Sequence, residues 1–205
     1  MAKFGLTIKR GIDLVGCIVM GPLVLFVSMV IAIMIRLTSG PGILFRQERA
    51  GQNMRPFTLY KFRTMRNNTD PFGPSPKGGD DPRLTRVGRW LRASSLDELP
   101  QLLNVLRGDM SLVGPRPLYM EQARQWDERQ RRRVLVKPGL TGLAQISGRG
   151  GLTIEDKIEL DLQYVERQSL GLDAKIMLAT ALSLFHSKDI YEKKYSRTQD
   201  TRAKR

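Results

Sequence analysis

Residues 14–35 form an almost unbroken apolar run, and no other feature limits the fold of this chain so strongly. The run is about 22 residues long, roughly 33 Å of helix at ~1.5 Å per residue, which is enough to span bilayer hydrocarbon. It is long for the apolar core of a cleavable leader and lacks a small-residue exit site, so it reads as a retained segment. Gly21-Pro22 lies in its middle. Proline has no N–H and crowds the preceding turn, so a kink or break is expected there. Basic residues flank both ends: Lys3, Lys9 and Arg10 before the run, Arg36, Arg46 and Arg49 after it. Basic flanks favour the cytoplasmic side, so the pattern favours a helix–break–helix that enters one leaflet and returns. A plain, slightly kinked spanning helix is the alternative.

The rest of the chain is basic, with 34 Lys+Arg against 20 Asp+Glu. That surplus implies an anionic partner: nucleic acid, acidic lipid headgroups or a phosphorylated substrate. With one cysteine, Cys17, and one histidine, His186, a disulfide framework and a thiolate zinc site are excluded within one chain. No P-loop and no G-x-G-x-x-G after a strand is present, and neither is a nucleophile elbow. Chemistry here has to run on carboxylates, basic residues and a hard cation.

Residues 43–47 and 57–65 read as two short strands around a turn at Gly51-Gln-Asn53. Alternation along the second puts Lys61 and Arg63 on one face, Tyr60 and Phe62 on the other. Residues 67–82 form a long loop. Residues 84–91 are amphipathic, with Val87, Trp90 and Leu91 against Arg83, Arg86, Arg89 and Arg92, a pattern that suits a helix at a membrane surface or a solvated basic face. The prolines at 115 and 117 present Arg116 from a rigid loop, and its planar fork matches phosphate oxygens. Residues 121–134 read as a charged, solvated helix. Residues 143–147 read as a short strand, followed by a glycine-rich loop carrying Arg149. Residues 153–167 read as a helix carrying Asp161 and Tyr164, and residues 171–185 as a further amphipathic helix. The fold class expected is α+β and mostly helical: a re-entrant membrane helix at about 12–36, amphipathic interfacial helices and a small β-hairpin. Residues 1–190 form a single domain, and 191–205 a basic, disordered tail.

The chemistry centres on Ser95-Leu-Asp-Glu-Leu-Pro-Gln-Leu-Leu-Asn104. Ser95 and Glu98 have capping-box spacing, and Pro100 suits a first turn. Leu99, Leu102, Leu103 and Leu106 define a buried helix face, and Gly108 stops the helix. An acid in such a first turn feels the positive end of the macrodipole and stays ionised. An acid pair, rigidly held guanidinium groups and a membrane segment together suit phosphoryl transfer beside a bilayer.

Five stretches carry a family resemblance: Lys61-Phe-Arg-Thr-Met65, Ser95-Leu-Asp-Glu-Leu-Pro-Gln101, Gly108-Asp-Met-Ser-Leu-Val-Gly-Pro-Arg-Pro117, Pro138-Gly-Leu-Thr-Gly142 and Ala144-Gln-Ile-Ser-Gly-Arg149. In this order they resemble the small monotopic phosphoglycosyl transferases, bacterial sugar transferases that initiate glycan assembly. The resemblance runs to about residue 190. It implies transfer of a sugar 1-phosphate from a UDP-sugar to polyprenyl phosphate, with release of UMP. It implies Asp97 as the nucleophile, Glu98 as its partner, and Mg2+ held at Asp97 and Glu98. It implies that Lys61, Arg63, Arg116, Arg149 and Asp161 contact phosphates, nucleotide or acceptor. Membrane lipid is an implied partner and nucleic acid is not; the implied location is the cytoplasmic face of a bacterial inner membrane. Gly21-Pro22 stands where members often have Ser-Pro, and Gly150 where they often have Asn. Two further readings follow from the residues: a membrane-anchored basic binding module without catalysis, and a phosphohydrolase working through an aspartyl phosphate.

Overall fold

The computed structural model describes residues 3–70, 73, 76 and 78–184; the tail expected at 191–205 lies outside them. A single helix, α1 (Lys3–Ser39), takes up the whole apolar run and is long and apolar enough to cross a membrane. It stays helical through Pro22, which corrects the expected helix–break–helix. Proline removes one backbone bond and crowds one turn. Gly21 beside it has open space where a side chain would stand, and each half of the helix is fastened separately.

The N-terminal half is fastened by polar side chains. Lys9 donates to the Val113 carbonyl at 2.9 Å and to Asp173 at 2.7 Å. Arg10 donates to the Val105 and Leu106 carbonyls at 2.6 and 2.9 Å. Asp13 accepts from the Ser111 hydroxyl and the Leu112 N–H at 3.1 and 2.9 Å. The C-terminal half is fastened by burial instead: Ile31 and Ile35 pack against Phe62, Val87 and Leu91.

After α1 comes an antiparallel hairpin of β1 (Leu44–Ala50) and β2 (Pro56–Phe62), in register from Leu44 opposite Phe62 to Ala50 opposite Pro56. The turn between them holds Asn53 and Met54 at φ of 54° and 61°, the left-handed region that Asn tolerates better than most residues. Phe57 and Leu59 join Cys17, Val105 and Met110 in one core cluster, so β2 serves both halves of α1. Next is α2 (Arg86–Ala93), capped by Thr85, whose hydroxyl accepts from Gly88 N–H at 2.8 Å. Val87 and Leu91 face the core, while Trp90 is 49% exposed.

Following α2, α3 (Leu102–Arg107) stops at Gly108, whose φ of 89° is the usual left-handed end. Leu103 and Leu106 are exposed, against the expectation that they line a buried face, because the helix is too short to bury two sides. β3 (Ser111–Val113) then pairs in parallel with the distant β4 (Gly139–Thr141). The crossing backbones approach so closely that a Cβ on Gly139 would meet the Gly114 nitrogen at 2.0 Å.

The helix expected at 121–134 is three short pieces: α4 (Met120–Arg124), α5 (Glu128–Arg131) and a 3₁₀ turn (Arg132–Leu135). Asp127 restarts the helix by accepting from Gln130 N–H at 2.7 Å, and Trp126 turns inward to pack with Ala50, Ala123 and Val134. After β4, α6 (Leu143–Ser147) replaces the expected strand; Gly142 ends the pairing and the chain coils at once. Then α7 (Ile154–Arg167) starts on a Thr153–Asp156 capping box, and α8 (Leu170–Leu184) closes the described fold.

Candidate active site

The acid pair sits on a strip that does not form the expected capping box. Ser95 has φ 58° and its side chain caps nothing, so residues Leu96–Gln101 wind as a 3₁₀ helix around Pro100. Glu98 is thereby free to point across to β2 rather than back to Ser95. Its Oε1 accepts from Lys61 Nζ at 2.7 Å and from an Arg116 guanidinium nitrogen at 2.8 Å. Burial alone would raise the Glu98 pKa, but Arg116 and Lys61 outweigh it and hold this carboxylate ionised, well below the usual range.

Asp97 is the opposite case. It is 7% exposed and accepts no hydrogen bond among the described residues. Burial pushes its pKa up; the Lys61 charge opposes this and the Glu98 charge adds to it. Its neighbour Glu98 carries the fixed negative charge. Asp97 has an oxygen that is neither tied up by a donor nor fully solvated, the condition in which a carboxylate is most reactive toward an electrophile. Lys61, in turn, is lowered by burial against the pull of Glu98.

Arg116 reaches the site from a loop whose backbone is pinned point by point. Val113 O accepts from Lys9 at 2.9 Å and from the Tyr164 hydroxyl at 3.2 Å. Gly114 N–H donates to Thr141 O, and Gly139 N–H donates to Pro115 O, each at 2.9 Å. Arg133 donates to Arg116 O at 2.8 Å, and Ala50 N–H to Leu118 O at 3.0 Å. The two prolines that the sequence offered as the source of rigidity are therefore one part of a larger scaffold.

The structure brings together Asp97, Glu98, Lys61 and Arg116. It does not bring Arg63 to them: that guanidinium donates to Ser39 O at 2.7 Å and Gly40 O at 3.1 Å, and also bonds Asn67, so it caps the end of α1. β2 ends at Phe62, so the alternation that paired Arg63 with Lys61 stops one residue short. Asp161 is 1% exposed and paired with Arg133, behind Arg116 rather than on an open surface. Arg149 begins a 3₁₀ turn (Arg149–Gly151), and its side chain lies outside what is described. Two participants were not legible as such: Arg133, hidden in an arginine-rich stretch that reads as solvated, and Lys9, which reads as a flanking charge.

Among the described residues no cluster of three or more Asp, Glu, Cys or His converges as a metal cage. Asp97 and the Oε2 of Glu98 remain as carboxylate oxygens without a hydrogen bond there. Two such oxygens beside a diphosphate fit a magnesium ion, which commonly takes one or two carboxylates plus substrate phosphates and water.

Comparison with known proteins adds the context. The model for the family described as bacterial sugar transferase matches residues 4–187. A Bacillus subtilis protein named uncharacterized sugar transferase EpsL is 49% identical over 161 residues, 77% of each chain. A UDP-glucose:undecaprenyl-phosphate glucose-1-phosphate transferase of Caulobacter vibrioides is 45% identical over 192 residues, 89% of this chain and 72% of that one. The protein of the same name from Escherichia coli is 40% identical over 192 residues, 90% of this chain but 41% of its own.

Proposed function

The chain belongs to the bacterial sugar transferase family, and from that premise we propose that it moves a sugar 1-phosphate from a UDP-sugar to undecaprenyl phosphate through a phosphosugar–Asp97 intermediate. The observation that carries the mechanism is the division of labour in the acid pair: one oxygen of Glu98 is held by both Lys61 and Arg116, while Asp97 is buried and has no hydrogen bond among the described residues. A carboxylate oxygen of Asp97 attacks the phosphorus that bears the sugar. The bond from that phosphorus to the bridging oxygen breaks, and UMP leaves with the electron pair. A phosphate oxygen of the acceptor then attacks the same phosphorus. The acyl phosphate bond breaks, Asp97 is restored and polyprenyl-diphosphate-sugar leaves.

Lys61 and Arg116 supply positive charge where negative charge accumulates on the phosphoryl oxygens, and Glu98 holds both in place before substrate arrives. Magnesium, when bound at Asp97 and Glu98, neutralises diphosphate charge. Arg149 stands in the remaining stretch that resembles the family pattern, and a phosphate or nucleotide contact is proposed for it too.

Membrane attachment accompanies this reading. Cys17, before Pro22, and Ile31 and Ile35, after it, pack on the same globular body. The apolar residues between them, among them Val19, Leu23 and Phe26, are exposed. A helix held on one body at both ends supports insertion from the cytoplasmic face of the inner membrane without crossing, with exposed Trp90, Leu103 and Leu106 meeting lipid beside it. Labelling a cysteine introduced at Gly21 from the periplasmic side tests this; reaction there overturns it.

The activity test is direct. Detergent-solubilised protein with magnesium, undecaprenyl phosphate and a panel of UDP-sugars is expected to release UMP with at least one donor, and only with acceptor present at steady state. No UMP from any donor overturns the proposal, and sustained release without acceptor favours hydrolysis through an aspartyl phosphate.

A further inference from the structure

Among the described residues, Arg133 is the one arginine that is buried, with its side chain 2% exposed. A guanidinium taken out of water needs partners on its face and along its edge. Arg133 lies over the Trp126 ring, 4.8 Å from its centroid, and is paired with Asp161. The same terminal nitrogen that meets Asp161 also donates to Arg116 O at 2.8 Å. Burial pushes the Asp161 pKa up, and the charges of Arg133 and, more weakly, Arg116 oppose this. One buried pair therefore holds the carbonyl of the residue that brings positive charge to Glu98.

That carbonyl matters more than usual, because a proline follows Arg116. Pro117 offers no N–H, so Arg116 O is the one hydrogen-bonding group of the peptide plane after Arg116, while the plane before it is held through Pro115 O by Gly139 N–H at 2.9 Å. The direction in which the Arg116 side chain leaves the backbone depends on those planes. With that side chain 43% exposed, lateral packing does little to aim it. We propose that Arg133 is a positioning residue: paired with Asp161 and stacked on Trp126, it sets the backbone of Arg116 so that its guanidinium meets Glu98 and the transferred phosphoryl group. It touches no substrate, and it acts only through Arg116.

This inference rests on the transferase reading, and a double-mutant cycle separates the two. Arg133→Lys keeps one charge for Asp161 but cannot stack flat on Trp126 while bonding both Asp161 and Arg116 O. In the wild-type background it is expected to lower kcat ~10–100-fold, the size of effect that about 1 Å of misplacement produces, with a smaller change in KM for the donor. In an Arg116→Ala background the same change is expected to lower kcat less than ~3-fold, because the residue it positions is gone. Melting temperatures are recorded for all four proteins. An equal loss in both backgrounds overturns the proposal, since a residue that merely supports the fold acts whether or not Arg116 is present. So does full activity of Arg133→Lys alone. If Arg133→Lys does not fold, the cycle is run with Trp126→Phe, which keeps a ring but loosens the stack, and the same two outcomes decide. A wild-type chain that releases no UMP would instead sink the transferase reading itself.

Discussion

Two carboxylate–guanidinium pairs in this chain have nearly the same chemistry and very different surroundings. Glu98 meets Arg116 at 2.8 Å, shares its oxygen with Lys61, and leaves the Arg116 side chain 43% exposed. Asp161 and Arg133 have side chains only 1% and 2% exposed. An open pair can change partners when a charged substrate arrives, because water and the incoming phosphate both stabilise the separated groups. A sealed pair cannot, since separating it leaves an uncompensated charge inside. The open pair lies beside Asp97 and the sealed pair behind Arg116. Sealing therefore marks which ion pair builds the site and which takes part in it.

The largest effect should come from breaking the sealed pair. Asp161→Ala is expected to lower folding stability by about 3–5 kcal/mol, read by denaturant unfolding. A paired apolar replacement, Asp161→Leu with Arg133→Met, should recover much of that stability while the transferase rate stays low. Recovery of both would show that the pair has no part in shaping the site.

Next in size is the open pair. Arg116→Ala is expected to raise the barrier by about 2–4 kcal/mol through loss of a charge-assisted contact in the transition state, with a melting temperature close to wild type. An unchanged kcat would make Arg116 structural and erase the contrast. Glu98→Gln should destabilise by about 1–3 kcal/mol, less than a sealed pair, because water still reaches Arg116. The sign follows from its depressed pKa: the stability Glu98 contributes is present above the ordinary glutamate range and is lost as pH falls through the lower folded-state value. The wild-type advantage over the Gln variant should therefore hold at neutral pH and fade in strong acid.

The smallest effect is on the pH profile. Asp97 must be ionised to attack, and burial raises its pKa, so kcat/KM should fall as pH drops through a value above the ordinary aspartate range. The Glu98 charge adds to that rise. In Glu98→Gln the acid limb should move to lower pH; a limb that stays put or moves up would assign it to another group. Because ionised Asp97 is disfavoured by burial, the stability linked to it declines as pH rises through its folded-state pKa. Asp97→Asn should accordingly melt no lower than wild type at neutral pH.

Much of this was legible in the sequence, for reasons that differ by region. The apolar run, the hairpin around residues 51–53, the stop at Gly108 and the helix at 153–167 rest on local rules, and they stand. The grouping of Asp97, Glu98, Lys61 and Arg116 was reached through the family pattern, because nothing local joins residues so far apart. The failures are places where tertiary contacts override local preference. Pro22 does not interrupt α1, whose two halves are each held by the body. Ser95 abandons the capping box because Glu98 has two cations across the way. The arginines of residues 121–134 gave no sign of which one turns inward, since burial of Arg133 depends on Asp161, 28 positions further on. Arg63 follows the alternation of its strand only on paper, because the strand ends one residue earlier and the end of α1 takes its donors.

The central claim is that Asp97 carries the sugar phosphate, and the most direct measurement is the mass of the protein after exposure to donor and magnesium without acceptor. A competent UDP-sugar should leave an adduct of sugar-phosphate mass on the peptide that contains Asp97, discharged on adding undecaprenyl phosphate and absent in Asp97→Asn. Steady-state turnover with no adduct on that peptide, or turnover retained by Asp97→Asn, would contradict it.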